Sequence, residues 1–120
     1  DIVKFGSNAT TAGAFYYLNS SGDWTATNAS DSLNSTSSLA FALGTDPGHE
    51  GMLLRGFART KINSTAALGN PVFLGTSSGY SQPTAPNGAG TITRIIGYAY
   101  NTTGTGMIYF NPSNDFIEHA

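Results

Sequence analysis

Cysteine is absent from this chain of 120 residues, and charged side chains are scarce. Without cysteine there is no disulfide framework, no thiolate nucleophile and no zinc site built on cysteine. Charged residues make up 10% of the chain, whereas about 25% is usual for a soluble domain. A surface so poor in lysine and glutamate depends on neutral hydroxyl and amide groups for solubility, a composition typical of extracellular and virion proteins.

The formal net charge is −2, and the five lysines and arginines are scattered along the chain. Scattered basic residues give no electrostatic footprint for nucleic acid or for an anionic membrane, so neither is an expected partner. No apolar run approaches the roughly 18 residues that a membrane-spanning helix needs. The first residues, DIVKFGSNAT, lack the charged and then apolar form of a signal peptide. The chain starts at Asp1 without methionine, as expected of a processed product or a piece of a longer protein.

Short β-branched and aromatic runs dominate the sequence, with glycine, proline and asparagine between them. The clearest runs, residues 15–18, 72–74, 92–100 and 107–110, favour strands. Residues 28–38 are the best candidate for a helix, but their Ser, Asn and Thr compete for backbone hydrogen bonds, which favours an exposed loop. The sequence therefore predicts an all-β fold with no helix longer than about two turns. Its expected form is a small antiparallel β-sandwich or barrel (β-tulip-like) with long Ser/Thr/Gly-rich loops.

The two halves of the chain carry a blurred internal duplication. Residues 14–24 (AFYYLNSSGDW) align with residues 71–80 (PVFLGTSSGY), and each apolar run leads to Ser-Ser-Gly. The alignment continues with LAFALG against RIIGY and with GMLL against GMIY. Two copies are too few for a solenoid. The prediction is a single β-domain over residues 13–120 with pseudo-duplicated halves, preceded by an extended N-terminal arm over residues 1–12.

No group of residues carries a signature of catalysis or of metal binding. His49 and Glu50 stand near Asp46, but they lie in a Gly/Pro-rich stretch that is expected to be a solvated loop, without the helix that zinc motifs use. Asp115, Glu118 and His119 lie together at the end of the chain, where fraying is common, and are expected to be a terminal polar cluster. There is no G-x-S-x-G elbow and no phosphate-binding glycine loop. The sequence therefore predicts a protein that is not an enzyme, with no catalytic residue, no metal site and no cofactor.

Six Asn-x-Ser/Thr sequons are present, at Asn8, Asn19, Asn28, Asn34, Asn63 and Asn101. In a secreted eukaryotic protein such sites accept N-linked glycans. These sequons lie in Ser/Thr/Asn-rich loops, where the same composition also serves turn formation. We favour this compositional interpretation over a secreted glycoprotein.

Consecutive aromatic residues occur in two predicted strands, as Tyr16 with Tyr17 and as Tyr109 with Phe110. Because successive strand residues face opposite sides of a sheet, one member of each pair has to leave its own core face. An oligomer interface supplies a second apolar surface for it. These four residues are therefore predicted to line the interface of a homotrimer. A carbohydrate-stacking platform is the other use considered for the aromatic residues.

Two arginines, Arg55 and Arg94, each stand ahead of a glycine and an aromatic residue, in RGF and RIIGY. They are predicted to occupy related places in the two halves. A buried guanidinium needs partners, so each is expected to pair with a carboxylate or with carbonyl groups at strand ends.

The second half contains the segments GMLLRGFART, LGNPVFLGTSSGYSQPTAPNGAG, TRIIGYAY and MIYFNPSNDFIEHA. This set, over residues 39–120, resembles a module at the ends of tailed-bacteriophage structural proteins. The first half, with AFYYLNSSGDWTATNASDS and SLAFALG, is similar in layout to the lambdoid head-decoration proteins, which are small trimeric β-domains. The resemblance implies a virion structural protein, a capsid decoration or cement protein that binds the head shell and stabilises it.

The partners that this resemblance implies are copies of the same chain, as a homotrimer, and the major capsid protein. The place of action would be the capsid exterior, after synthesis in the cytoplasm of the bacterial host. Residues 1–11 are expected to lie extended against the capsid, where Ile2, Val3 and Phe5 add a strand to an exposed sheet edge. Contacts with several capsid subunits at once make the attachment strong even where each contact is weak.

Three alternatives stay open at this point. The first is the C-terminal receptor-binding module of a tail fibre or tailspike, in which residues 28–38, 45–50 and 81–90 contact the host surface. The second is a polysaccharide-degrading enzyme, for which two carboxylates would have to flank a sugar cleft. The third is a secreted, glycosylated adhesin.

Overall fold

The structure is a computed structural model, and it describes residues 1–61, 65–101 and 106–120. Strands account for 35% of the residues and helix for 3%, which confirms the all-β prediction. The one helical element of the described residues is a single 3-10 turn, Ser32–Asn34, within the stretch expected to be a loop. Asp31 caps this turn, because its side chain accepts a hydrogen bond of 2.9 Å from the N–H of Leu33.

The strands pair in antiparallel ladders throughout. Their bounds are β1 Ile2–Val3, β2 Phe15–Leu18, β3 Trp24–Ala26, β4 Leu39–Ala42, β5 Met52–Leu53, β6 Gly56–Arg59, β7 Pro71–Leu74, β8 Ser81–Gln82, β9 Ile92–Thr93, β10 Ile95–Asn101, β11 Met107–Phe110 and β12 Ile117–Glu118. The first sheet has the order β1-β5-β4-β2-β3, the second has the order β6-β11-β10-β7-β8, and β12 pairs with β9. No sheet of the described residues closes on itself.

The two five-stranded sheets have the same strand order, and each is built from one half of the chain. The corresponding strands of the two sheets are β1 and β6, β5 and β11, β4 and β10, β2 and β7, and β3 and β8. The segments that align in the sequence lie on corresponding strands, since GMLL contains β5 and GMIY contains the start of β11. Each half of the chain therefore folds into a sheet of the same plan.

The two sheets pack against one shared apolar core. Phe15 and Phe41 of the first sheet meet Phe110 of the second, with ring centroids 5.6 Å and 6.2 Å apart. The other buried members of this core are Ala29, Leu39, Leu53, Ala66, Val72, Leu74, Ile96, Ala99 and Ile108. Alternate residues of β2, β4, β7 and β11 point into this core, and β10 contributes Ile96 and Ala99. This packing of two open sheets is consistent with a β-sandwich.

The outer face of the first sheet forms a second buried cluster, covered by the N-terminal segment of the same chain. Its fully or almost fully buried members are Ala14, Tyr16, Trp24, Ala40, Ala42 and Met52. The chain leaves β1 at one edge of the sheet and reaches Trp24 of β3 at the other edge. There the Phe5 ring packs 5.2 Å from the Trp24 ring, and Trp24 Nε1 donates a hydrogen bond of 3.2 Å to the Phe5 carbonyl.

The returning part of this segment is fixed by further hydrogen bonds. Thr10 Oγ1 donates to the Gly44 carbonyl at 2.6 Å, the Thr11 N–H donates to Tyr16 Oη at 2.7 Å, and the Gly13 N–H donates to the Ala42 carbonyl at 2.9 Å. Residue 12 is therefore not a domain boundary in the structure. The predicted arm is an edge strand followed by the cover of the first sheet, where Val3 and one side of the Phe5 ring pack on the same domain while Ile2 and Phe5 keep exposed area.

The two arginines do not occupy related places. Arg94 is 6% exposed, and three carbonyl groups accept its hydrogen bonds, as predicted. Burial lowers the pKa of its guanidinium from the ordinary range. Arg55 lies on the surface just before β6, with one terminal nitrogen 3.6 Å from the Asp1 carboxylate. An exposed pair of this kind contributes little to stability.

Candidate interaction surface

The outer face of the second sheet carries aromatic side chains in register across three strands. Tyr98 of β10 is paired with Tyr109 of β11, and Tyr109 is paired with Phe57 of β6. Pro71 of β7 lies opposite Tyr98 on the other side. Because directly paired residues point to the same face of a sheet, one line of apolar groups crosses four strands. Together with Tyr100, the residues Phe57, Tyr98 and Tyr109 are called the aromatic face below.

The Phe57 ring contacts those of Tyr100 and Tyr109, and the face still remains accessible. The Phe57 centroid lies 5.1 Å from that of Tyr100, in an edge-to-face arrangement at 89°, and 5.1 Å from that of Tyr109. The exposed fractions are 58% for Phe57, 43% for Tyr98 and 55% for Tyr100, while Tyr109 is half-buried. Aromatic pairs in such geometries attract each other by about 0.5–1.5 kcal/mol beyond burial. The face is therefore an apolar surface whose rings support one another.

The local sequence explains why these side chains point outward. Ala58 packs against the shared core, so its neighbours Phe57 and Arg59 face the other way.

The two strands that carry the tyrosines, β10 and β11, come unusually close at Gly97. A Cβ atom at this position would collide with the carbonyl oxygen of Tyr109, so only glycine permits the approach. Arg59 is the one charged residue of β6, β10 and β11.

Two shallow grooves lie between this surface and the C-terminal segment. One has a volume of about 330 Å³ and lies between Tyr98 and Ile95 on one side and residues 111–114 on the other. The second, of about 320 Å³, is bordered by Ile95 and by the exposed side chains of Phe116 and Ile117. The first groove is mainly polar, and the second adds open apolar area near the aromatic face.

Of the four residues predicted to line an oligomer interface, only Tyr109 lies on the aromatic face. Phe110 is completely buried in the shared core, and Tyr16 is 8% exposed beneath the N-terminal segment. Tyr17 is partly buried against the shared core. The prediction is thus corrected for Tyr16 and Phe110, because the N-terminal segment covers Tyr16 and the core between the two sheets encloses Phe110, so a second copy cannot reach these side chains.

The predicted interface did not include the other three members of the aromatic face, Phe57, Tyr98 and Tyr100, which were expected to be core residues more often than a platform for sugars. The signal that could have found them is alternation. In the segment GYAYN, the small residues Gly97 and Ala99 are buried and the tyrosines between and after them are exposed. Large aromatic residues that alternate with small ones indicate a strand with one open apolar side.

The residues predicted to bind a capsid lie at an edge of the first sheet. Ile2 and Val3 pair with Leu53 and Met52, and the opposite side of β1 has no strand partner among the described residues. The exposed fractions of Ile2 and Phe5 are 55% and 41%, so both keep accessible apolar area. Capsid binding by Ile2, Val3 and Phe5 stays a prediction.

The polar residues considered for catalysis or metal binding serve loop structure. His49 Nδ1 lies 2.7 Å from Asp46 Oδ2, and this hydrogen bond holds the pKa of the Asp46 carboxyl below its ordinary range. Glu50 accepts hydrogen bonds from the N–H groups of Thr45 and Asp46 at 2.9 Å and 3.0 Å. In residues 1–61, 65–101 and 106–120, no three His, Cys, Asp or Glu side chains come together in a way that could hold a metal ion.

The C-terminal polar residues are held on the domain. β12 pairs with β9, and His119 Nε2 lies 2.7 Å from Thr93 Oγ1.

The part of the chain that the structure describes contains no helix with the length and apolar character of a membrane span. Comparisons of the chain with protein-family models, with curated proteins and with solved structures find no match.

Proposed function

We propose that this protein is a non-enzymatic structural protein of a tailed-bacteriophage virion, a capsid decoration protein that binds the head exterior and associates with copies of itself. The observation that carries the proposal is the contrast between two sheets of the same strand order. The chain covers the outer face of the first, whereas the second presents the aromatic face. An open apolar face on a small domain is typical of an interaction surface.

The proposed occupant of the aromatic face is a second copy of this chain. Tyrosine is preferred at the centres of protein interfaces, because its rigid ring contributes large contact area at low cost in conformational entropy. Arg59 is the only charge that β6, β10 and β11 supply, so copies meet here without opposing clusters of like charge. Three copies that turn this face toward a threefold axis bury all twelve rings in one centre.

Attachment to the shell is proposed to use β1, at the edge of the first sheet. Strand β1 is an edge strand, and its free side offers backbone N–H and C=O groups to an added strand. Ile2 and Phe5 supply accessible apolar side chains beside that edge. Three such edges in one trimer bind three capsid sites together, so a modest affinity at each gives firm attachment.

Counting and locating the protein on purified particles tests this function. A decoration protein is expected in many copies over the head, as measured by quantitative gel electrophoresis and by difference density between particles with and without the protein. Loss of the protein should also lower the temperature at which the heads open. Absence of the protein from purified particles contradicts the proposal, and a few copies confined to the tail contradict its decoration role.

The in-register rings also favour a second candidate, a receptor-binding module of a tail fibre. Sugar rings present C–H groups that pack on aromatic faces, and a line of rings across a sheet offers such a platform. Binding of the isolated protein to purified host-surface polysaccharide checks this candidate. Binding that Tyr98→Ala and Tyr100→Ala abolish supports it, whereas no binding by the unaltered protein excludes it.

A further inference from the structure

A cleft beside Arg94 joins segments from both halves of the chain. Its volume is about 370 Å³, and residues 36–39 and Leu54 line it from the first half, while Arg94, Pro112 and Asn114 line it from the second. Arg94 itself is 6% exposed. The cleft is separate from the aromatic face, to which none of these residues belongs.

The positive charge of Arg94 has no balancing carboxylate among the described residues. Its Nε donates to the Ser113 carbonyl at 2.8 Å, and its Nη1 donates to the carbonyls of Ser35 and Ser37 at 2.9 Å and 2.8 Å. The two ion pairs in the described part of the chain involve other residues. A buried charge that is only partly compensated is costly, and an anion in contact with it reduces that cost.

Donors for such an anion are present around the cleft. No hydrogen bond of the described residues uses Nη2 of Arg94, a nitrogen that carries two N–H groups. Ser37 Oγ is buried and has no hydrogen-bond partner in the described part of the chain. Asn114 adds a further polar side chain to the lining, while the Thr36 hydroxyl already donates to the Ser32 carbonyl. Charge-assisted bonds from a guanidinium are the strongest of this kind.

We propose that the Arg94 cleft binds a carboxylate group on a short aliphatic stem. One guanidinium balances one negative charge, so a monoanion fits, whereas phosphate or sulfate as a dianion would leave excess charge in a partly buried site. Leu39, Leu54 and Pro112 supply apolar contacts for a carbon stem. The same chemistry is found in short free carboxylic acids and in the Asp or Glu side chains of a partner protein.

Titration of the isotopically labelled full chain, followed by NMR, tests the site directly. The probes are sodium propionate and a blocked tripeptide with a central glutamate, at constant ionic strength set with sodium chloride. The expected result is a saturable shift of the Arg94 Nε–H signal and of the Ser37 amide. The matching tripeptide with glutamine in place of glutamate should leave both signals unchanged.

The two probes, propionate and the glutamate peptide, distinguish free carboxylic acids from a partner protein as the source of the carboxylate. Saturation by propionate alone assigns the cleft to free acids, and saturation by the glutamate peptide assigns it to a protein partner. Ser37→Ala removes one neutral donor and should weaken binding about fivefold, the effect of one hydrogen bond. Ser7→Ala, at an exposed serine outside the cleft, is the matched control and should bind as the unaltered protein does.

A second variant, Arg94→Lys, tests the role of the guanidinium in a chain that keeps the positive charge. Arg94→Lys keeps the charge but loses the planar fork, so it should weaken propionate binding at least tenfold in a chain that still gives a folded spectrum. The titration of the unaltered chain stands even if this variant fails to fold. Shifts that do not saturate, or that chloride reproduces, overturn the proposal.

Discussion

The two sheets follow one plan, but their outward side chains differ in size. On β4 of the first sheet, Ala40 and Ala42 are completely buried, and their small size leaves room for the N-terminal segment that crosses them. On the corresponding strand β10 of the second sheet, Tyr98 and Tyr100 are exposed and contact no such cover among the described residues. The same strand order thus carries a second buried cluster in one half and an exposed aromatic face in the other.

The largest expected effect is on the free energy of unfolding, and it differs between two methionines at corresponding positions of GMLL and GMIY. Met52 is completely buried beneath the N-terminal segment, and Met107 is half-exposed. Met52→Ala should lower the free energy of unfolding by about 3 kcal/mol, as expected for a buried methionine. Met107→Ala should lower it by less than about 1 kcal/mol. Urea unfolding of both variants measures the difference, and equal losses would remove the contrast between the two faces.

The next effect concerns self-association through the aromatic face. Phe57→Ser and Tyr98→Ser should each weaken it by about 2 kcal/mol, or roughly 30-fold in the dissociation constant, as at interface hot spots. Tyr98→Ser should change the stability of the single chain little, because this ring is open to solvent, whereas Phe57→Ser also loses the ring contacts with Tyr100 and Tyr109 and should cost about 1 kcal/mol. Leu33→Ser is the matched control, since Leu33 is 79% exposed and lies on the 3-10 turn. Sedimentation equilibrium distinguishes the variants, and a purely monomeric unaltered protein would contradict the proposed association.

A smaller effect is expected where the cover meets the first sheet. Phe5→Ala removes the ring that packs 5.2 Å from Trp24, and it should cost about 1 kcal/mol of stability. The fluorescence of Trp24 should also shift to longer wavelength as water reaches the indole. Phe116→Ala serves as the control, because Phe116 has a similar exposed fraction of 44% but lies in the C-terminal segment. Unchanged Trp24 emission in the Phe5 variant would show that the segment does not shield the indole.

The smallest effect lies in the loop beside the covered face. The hydrogen bond from His49 lowers the pKa of Asp46 in the folded chain. The stability it contributes is therefore present above the ordinary Asp pKa of about 3.9 and is lost as the pH falls through the lower folded value. Asp46→Asn should remove this part of the acid dependence, because the amide does not titrate. Thermal unfolding between neutral and acidic pH checks it, and parallel curves for the two proteins would contradict it.

The sequence predicted the strands and the aligned halves, because alternation and turn residues act locally. Alternation also placed Tyr16 and Tyr17 on opposite sides of β2, which is what the structure has. What alternation could not say is which side remains open, since that depends on where a distant segment runs. Ile2 and Phe5 have the same apolar character whether they contact their own sheet or a partner. The burial of Arg94 was equally hard to predict, because the carbonyl groups that accept its hydrogen bonds belong to the distant residues Ser35, Ser37 and Ser113.

The strand pairing allows the chain to be divided between its two sheets. Every strand pair lies wholly within residues 2–53 or wholly within residues 56–118, so the peptide bond between Leu54 and Arg55 can be opened without breaking a ladder. Two separately made pieces would carry complementary apolar faces from the shared core. They are suited to reassemble when mixed, which makes the chain a natural candidate for a split reporter whose halves combine only in each other's presence.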